Sequence, residues 1–165
     1  MIKVGLIGCT SKKKNYFCKS QEMYSPSKYF QLRLEYCKKM NFDYIYILSA
    51  KYGLLKLDEY IYPYNLNLKN TSLKYRKNWE IKVYKSLLQL HDPNNTIFYL
   101  LAGEEYTRFL NKKLKYTKNP VKGLGIGKQL KYYKEKITKL NSLDNKNQSK
   151  SKIIQNNKKR GNFNV

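Results

Sequence analysis

The chain has few acidic residues and a single histidine, and these shortages exclude several kinds of site. Eleven aspartates and glutamates stand against 34 lysines and arginines, so the formal net charge is +23. A structural zinc site needs about four nitrogen or sulfur ligands at close spacing. Here Cys9, Cys18 and Cys37 form no CxxC pair, and His91 is the only histidine. We therefore expect no metal ion, no other cofactor, and free thiols, which are typical of a reducing cytosol.

The chain also lacks a long hydrophobic run. The apolar stretch near the N-terminus, residues 2–8, is seven residues long and is followed by lysines. That order is wrong for a signal peptide, and a membrane-spanning helix needs about 20 apolar residues. We expect a cytoplasmic protein that does not cross a membrane.

The positive charge is spread over most of the chain. Residues 141–165 are polar, rich in asparagine and lysine and without an apolar period, which predicts a basic, disordered tail. The tail holds six basic residues and one aspartate, so residues 1–140 carry +18. Basic domains often bind nucleic acid, because neutralising phosphates releases counterions. A second explanation stays open: only four of the basic residues are arginine, and an A/T-rich genome would also enrich lysine.

Apolar patterns alternate between strand and helix along residues 1–140. Continuous apolar or β-branched runs predict buried parallel strands at residues 2–8, 42–50 and 96–103. Three- and four-residue spacing of apolar side chains predicts helices at residues 29–40, 72–91, 104–114 and 127–140. Strands that alternate with helices need crossover connections. The order therefore predicts one α/β domain, a three-layer α/β/α sandwich with a mostly parallel sheet.

Polar segments follow the end of each predicted strand. They read "CTSKKK" (9–14), "AKYGLLKLDEYIYPYN" (50–65) and "AGEEY" (102–106). Ligands of open parallel sheets bind at the carboxyl ends of the strands, so we expect these segments to converge on one edge. A loop as long as 50–65 is more often functional than connective. Alternatively, its tyrosines cover the sheet edge while Asp58 and Glu59 cap a short helical turn.

Two further features carry weaker signals. Cys9 has the position of a nucleophile, but His91, the only imidazole partner, is predicted at the far end of a helix, so a small buried residue is the better interpretation. The turn "GLGIG" (123–127) precedes a helix, but Gln129 stands where a P-loop needs serine or threonine. That turn suits either close backbone approach to an anion or a tight turn without a ligand.

Motifs at the predicted strand ends resemble those of a known family. "LSAKYGLL" (48–55) and "PYN" (63–65), together with "GCTSKKK", "EMYSPSKYF", "LAGEEY" and "GLGIGKQLKYY", are similar in this order to YaaA-like proteins of phages and bacteria. "YSPSKYF" also resembles the core domain of archaeosine synthase. The resemblance covers residues 2–133. It implies a YaaA-like domain over residues 1–140, a uracil-DNA glycosylase-like fold, and a role near nucleic acid or nucleobases.

The resemblance implies a set of substrate-binding positions, most of them at strand ends. These positions are Cys9, Ser11, Lys12, Tyr24, Ser25, Ser49, Lys51, Tyr52, Gly53, Leu54, Pro63, Tyr64, Asn65, Gly103, Tyr106, Gly123 and Gln129. In a nucleic-acid site, Lys12 and Lys51 would hold phosphate.

Two functions follow from these observations. The first is an enzyme that acts on a nucleobase or N-glycosidic bond, in which Tyr52 or Tyr64 stacks on an extruded base. Asp58 or Glu104 would then be the catalytic carboxylate that orients water or stabilises a cationic sugar. The second, implied by YaaA, is a DNA-binding protein without turnover that protects DNA under peroxide stress. A third possibility is a nucleotide-binding module of a phage or defence system. The expected partner is nucleic acid, with DNA favoured over RNA, or a nucleotide.

Overall fold

The computed structural model describes residues 1–161 and contains strands and helices that alternate along the chain. The strands are β1 (Ile2–Gly8), β2 (Cys18–Lys19), β3 (Tyr44–Ser49), β4 (Gly53–Lys56), β5 (Tyr60–Ile61), β6 (Thr96–Leu101) and β7 (Thr117–Lys118). The helices are α1 (Ser20–Met23), α2 (Lys28–Lys39), α3 (Leu73–Leu90), α4 (Glu104–Lys113) and α5 (Ile126–Gly161), with a 3₁₀ turn at Leu68–Asn70.

Five of the strands form one mixed sheet in the order β4-β3-β1-β6-β7. β1 pairs in parallel with both β3 and β6, and β6 pairs in parallel with β7. Only β4 is antiparallel, to β3. β2 and β5 pair separately as a short antiparallel ribbon. The predicted α/β class with a mostly parallel sheet is confirmed, but β4 and β5 lie inside the segment that the sequence suggested was a loop.

Helices cover both faces of the sheet. α2 and the first turns of α5 pack on one face, in a core that includes Phe30 and Tyr133. α3 and α4 pack on the other face, in a core that includes Trp79 and Leu110. Because both faces are covered, the central strands are apolar along most of their length rather than only at alternate residues, and Lys3 near the start of β1 is exposed.

Helix α5 extends beyond the predicted domain boundary. The sequence predicts disorder from residue 141, whereas the structure continues the helix to Gly161 with residues 142–161 exposed. Among its side chains only Tyr133 and Ile137 are buried. Lysine, glutamine and asparagine are tolerated in a helix once packed turns have nucleated it, since propagation costs less than nucleation. Residues 162–165, the end of the predicted tail, lie outside the described residues. No helix within residues 1–161 has the length and apolar content to cross a membrane.

Candidate functional site

The carboxyl ends of β1 and β6 border a crevice at the centre of the sheet. From β1 the chain continues toward β3 on one side, and from β6 it continues toward β7 on the other. Ligands in open parallel sheets bind where neighbouring strands send their connections in opposite directions. A cavity of about 220 Å³, which we call the Arg33 cavity, lies here. It is lined by Gly8, Cys9, Thr10, Ser11, Lys13, Tyr29, Arg33, Asn65, Leu66, Asn67, Gly103, Glu105 and Tyr106.

A buried arginine joins the two strand ends. The side chain of Arg33 is on α2, and the residue is only 2 % exposed. Its Nη1 donates to the carbonyl oxygen of Leu101 at 2.6 Å, and its Nη2 donates to that of Gly8 at 3.1 Å. Its Cζ lies 4.0 Å from the ring centroid of Tyr29. The guanidinium is therefore held between the last residues of β6 and β1, against an aromatic face.

This arginine lacks a counter-charge among the described residues. No carboxylate of residues 1–161 forms an ion pair with Arg33, and its Nε has no hydrogen-bond partner. Burial lowers the pKa of the guanidinium, but arginine stays protonated in proteins. The cavity is thus lined by a buried cation whose Nε has no partner.

The local sequence explains how the arginine reaches this position. Ser27 caps α2 by accepting a hydrogen bond from the N–H of Phe30 at 3.2 Å. Phe30, Arg33 and Cys37 are spaced by three and four residues, so they share the face of α2 that packs on the sheet. Sequence reasoning missed Arg33, although an arginine in the buried stripe of a helix was a signal that could have found it.

A glycine makes room for the guanidinium. A Cβ added to Gly8 would lie 2.8 Å from the Cβ of Ala102 and 3.2 Å from Nη1 of Arg33. The first distance is shorter than any normal carbon contact, so a larger residue would push β1, β6 or the arginine aside. The glycine at the end of β1 therefore permits the close approach that the Arg33 cavity needs.

Helix α4 begins at the cavity. Gly103 is its N-terminal cap, and the first N–H groups of a helix have no partner within the helix. They give this end of α4 a partial positive charge. Glu105 also lines the cavity, and its Oε1 lies 3.6 Å from Nζ of Lys69. The cavity therefore combines a cation, a helix N-terminus and one carboxylate.

A tyrosine network borders the cavity on the side of β3. The hydroxyl of Tyr64 lies 2.8 Å from the hydroxyl of Tyr24 and 2.8 Å from Oγ of Ser49. Burial raises the pKa of both tyrosines, so their hydroxyls stay neutral. The ring of Tyr52 packs edge-on against that of Tyr64, with centroids 5.6 Å apart. Nζ of Lys13 lies 4.5 Å from the Tyr64 centroid, and burial lowers the pKa of this lysine.

Cys9 lies in the cavity without a catalytic base. Its thiol donates to the hydroxyl of Tyr106 at 3.5 Å, and that hydroxyl also accepts the N–H of Leu68 at 3.4 Å. Nε2 of His91 lies 2.8 Å from the hydroxyl of Tyr46 instead. Cys9 therefore has no imidazole partner at the strand end, and it is partly rather than fully buried there.

A second cavity of about 500 Å³ adjoins the first and shares Gly103 with it. Glu104 lines this second cavity and pairs with Arg108 at 2.9 Å on the exposed surface. Gln129 accepts a hydrogen bond from the hydroxyl of Tyr29 and donates to the carbonyl oxygen of Leu124 at 2.7 Å. Because Tyr29 also contacts Arg33, the glycine-rich turn before α5 is connected to the Arg33 cavity.

About half of the predicted site residues meet at this edge of the sheet. Lining the Arg33 cavity are Cys9, Ser11, Asn65, Gly103 and Tyr106. Beside it, the tyrosine network contains Tyr24, Ser49 and Tyr64. The second cavity is lined by Gly103, Glu104, Gly123 and Gln129. Sequence reasoning missed Tyr29, Arg33, Asn67 and Glu105.

The other predicted residues lie outside both cavities. Ser25 lines a separate shallow pocket on α2, and Lys12 is exposed. Lys51 is exposed, with its Nζ 5.3 Å from the ring centroid of Tyr52. Neither cavity is lined by Gly53, Leu54 or Pro63. The first two residues are in β4, and Pro63 directly precedes Tyr64.

Asp58 is not brought to the crevice. At Gly53, whose φ is +76°, the chain reverses, and β4 then runs antiparallel to β3 with Lys56 opposite Tyr46. The chain therefore returns toward the amino end of β3 before it reaches Asp58, which is exposed in the turn before β5. Glu59 belongs to the same turn and accepts the N–H of Lys56 at 3.0 Å. Neither carboxylate caps a helical turn.

The comparisons with known proteins identify a family. The model of a family of unknown function, DUF6884, matches residues 4–135, and the chain belongs to that family. No curated protein and no solved structure matches the chain. Within residues 1–161, no group of three or more histidine, cysteine, aspartate or glutamate side chains is arranged to hold a metal ion.

Proposed function

We propose that this member of DUF6884 is an enzyme that binds the phosphate of a nucleotide unit in the Arg33 cavity and acts on its N-glycosidic bond. The observation that carries the proposal is Arg33, a buried cation without a carboxylate partner in residues 1–161. Burying an unpaired ion costs several kcal/mol, which a bound anion would offset. The planar donors of a guanidinium match the oxygens of a phosphate, as they do those of a carboxylate.

Two further groups support an anion at this position. Lys13 lines the same cavity, and its lowered pKa reflects a partly desolvated ammonium. The N-terminus of α4 begins at Gly103, which also lines it. Phosphate binding at helix N-termini and at backbone turns after strands is a general property of α/β folds.

Glu105 is the carboxylate that the proposal assigns to the reaction. Water would add to C1′ of the sugar, the C1′–N bond would break with its electron pair going to the base, and the base would take up a proton. Glu105 would orient the water and stabilise the cationic sugar. The role that the sequence suggested for Asp58 or Glu104 passes to Glu105, because Asp58 lies beyond β4 and Glu104 lines the second cavity.

The second cavity offers space for the base. It shares Gly103 with the Arg33 cavity and is lined by the glycine-rich turn and Gln129, whose amide can bind base edges. The relationship to YaaA proteins, archaeosine synthase and the uracil-DNA glycosylase-like fold is part of the same proposal, and the motifs at the crevice support it. Free thiols support a reducing compartment such as the cytoplasm.

The test is a search for released base. The protein is incubated with single- and double-stranded DNA, RNA and nucleoside monophosphates, including modified and damaged bases, and the products are identified by mass spectrometry. We expect base release that Glu105→Gln reduces by about 100-fold or more. Asp58→Asn serves as the matched control and should keep full activity. Absence of release from every substrate, or full activity of Glu105→Gln, would contradict the proposal.

A second candidate function is nucleic-acid binding without turnover, as the sequence also suggested. One observation favours it: the exposed end of α5 carries Lys146, Lys150, Lys152, Lys158, Lys159 and Arg160. Binding through these residues would be sequence-independent and strongly weakened by salt. Replacing the five lysines by glutamine should then reduce both DNA affinity and its salt dependence. Unchanged affinity in this variant would argue against a role for α5.

A further inference from the structure

The short ribbon formed by β2 and β5 has one aromatic, exposed face. Cys18 and Ile61 pair across the ribbon and are buried. Their neighbours along each strand point the opposite way, because side chains alternate in a strand. Phe17, Tyr60 and Tyr62 are accordingly 49 %, 59 % and 64 % exposed.

The three rings form a cluster, which we call the aromatic platform. The ring centroid of Phe17 lies 4.5 Å from that of Tyr62 and 5.4 Å from that of Tyr60. Exposed aromatic side chains scattered singly need no explanation, whereas a contiguous exposed group indicates a contact surface. No element within residues 1–161 covers the platform enough to bury any of these rings.

The segment that contains Phe17 is rich in lysine. Residues 12–19 contain four lysines and no acidic residue. Lys19 is paired directly opposite Tyr60 in the ribbon. Of the two acidic residues that precede Tyr60, Glu59 accepts the N–H of Lys56 and Asp58 is exposed. The surface therefore combines exposed rings with ammonium groups and suits a partner that is both aromatic and polyanionic.

The platform leads to the tyrosine network of the Arg33 cavity. Tyr62 is separated from Tyr64 by Pro63 alone, and Pro63 restricts the backbone between them. The hydroxyl of Tyr52 lies 3.3 Å from both the backbone nitrogen and the carbonyl oxygen of Tyr62. Lys13, which belongs to the lysine-rich segment 12–19, lines the cavity. Rings and lysines therefore extend from the platform to the cavity.

We propose that the aromatic platform of Phe17, Tyr60 and Tyr62 stacks on unpaired bases of a single-stranded nucleic acid, whose phosphates are bound by the lysines of residues 12–19. Every base has an aromatic face, so stacking tolerates any sequence but requires that the bases be unpaired. In a duplex those faces are covered by neighbouring base pairs. The inference rests on the proposed function in one respect: the nucleotide next to the stacked bases would be the one that enters the Arg33 cavity.

The test compares oligonucleotides with and without bases. Binding of the full-length protein to labelled oligothymidylate, to an abasic phosphodiester oligomer of equal length and to a duplex is measured by fluorescence anisotropy over a range of salt concentrations. Stacking of one base changes affinity by about 5- to 150-fold. We expect at least a fivefold preference for oligothymidylate over the abasic oligomer.

Matched variants assign that preference to the platform. The double variant Phe17→Ala, Tyr62→Ala should lose most of the preference for oligothymidylate, with an unchanged salt slope because the lysines remain. Tyr62→Phe retains the ring and should behave as the unsubstituted protein does. Tyr116→Ala removes an exposed tyrosine near β7 and should have no effect. Equal binding of both oligomers by the unsubstituted protein, preferential binding of the duplex, or an unchanged preference in the double variant would overturn the inference.

Arg33→Met distinguishes this inference from the proposed function. If the platform binds as described, this variant keeps the preference for oligothymidylate, whether or not Arg33 holds a phosphate. Loss of the preference in Arg33→Met, together with its retention in the double variant, would mean that base recognition lies in the cavity and not on the platform.

Discussion

Replacing Arg33 by methionine would separate its role in ligand binding from its role in folding. Methionine has a similar length and no charge, so it removes the hydrogen bonds to Leu101 and Gly8 without leaving a large cavity. Each carbonyl that loses its partner costs about 1–3 kcal/mol. Removing a buried, unpaired cation relieves a desolvation penalty of several kcal/mol. These effects oppose each other, so we expect the free energy of unfolding without ligand to change by less than about 2 kcal/mol.

Ligand-dependent stability should change much more. A ligand at 100 times its dissociation constant stabilises the protein by about 2.7 kcal/mol. For a chain of this size each kcal/mol raises Tm by about 2–4 °C. Thermal unfolding followed by circular dichroism should therefore show a rise of about 5–10 °C on adding a saturating phosphate ligand. Inorganic phosphate and nucleoside monophosphates are the first ligands to compare, and Arg33→Met should show no rise with any of them.

A control and two outcomes make this prediction decisive. Arg76→Met changes the same residue type on α3, outside both cavities, and should keep the full shift in Tm. An equal shift in Arg33→Met would show that the anion does not bind at Arg33. A loss of more than about 4 kcal/mol in Arg33→Met without ligand would show that the arginine is mainly a structural connection between β1 and β6.

Two further predictions concern stability. Gly8→Ala places a Cβ 2.8 Å from that of Ala102 and should lower the free energy of unfolding, measured by chemical denaturation, by about 1–3 kcal/mol. Gly125→Ala, whose Cβ meets no atom within 4 Å, is the control and should lower it by less than about 1 kcal/mol. Equal losses in the two variants would contradict the packing argument. Burial lowers the pKa of His91 below its ordinary value of 6.5. The unfolded chain therefore binds a proton more readily than the folded protein does as the pH drops below about 6.5. Over that range the free energy of unfolding should fall by up to about 1.4 kcal/mol per pH unit. His91→Gln can still hydrogen-bond to Tyr46 and should flatten this part of the pH profile; an unchanged profile would assign it to other groups.

The main elements could be predicted from the sequence because their patterns are local. A strand buried on both faces must be apolar along its buried length, as residues 4–8 and 97–101 are. A helix that packs on a sheet must repeat its apolar residues every three or four positions, as α3 does. The short strands β4 and β5 were not predicted, because pairing across two to four residues depends on where the partner strand lies and leaves no period in the sequence.

The candidate site was predicted in part for the same reason. Residues that follow β1 and β6 must lie at the carboxyl edge of a parallel sheet, which is why the sequence could predict that Cys9 and Gly103 lie at this edge. Asp58 follows an antiparallel strand instead, and the reversal at Gly53 takes it to the opposite end of β3. That reversal depends on the pairing of β4 with β3, which the sequence does not show.

The sequence by itself determined the class of the fold, the edge of the sheet where polar residues collect, and the excess of positive charge. Only the tertiary structure decided which groups line the cavity. Glu104 and Glu105 are adjacent, but successive residues of a helix point about 100° apart, and the way α4 packs on the sheet directs Glu105 to the Arg33 cavity and Glu104 to the second one. Arg33 is 25 and 68 residues from the carbonyl groups that it binds, so only folding brings its charge to the two strand ends.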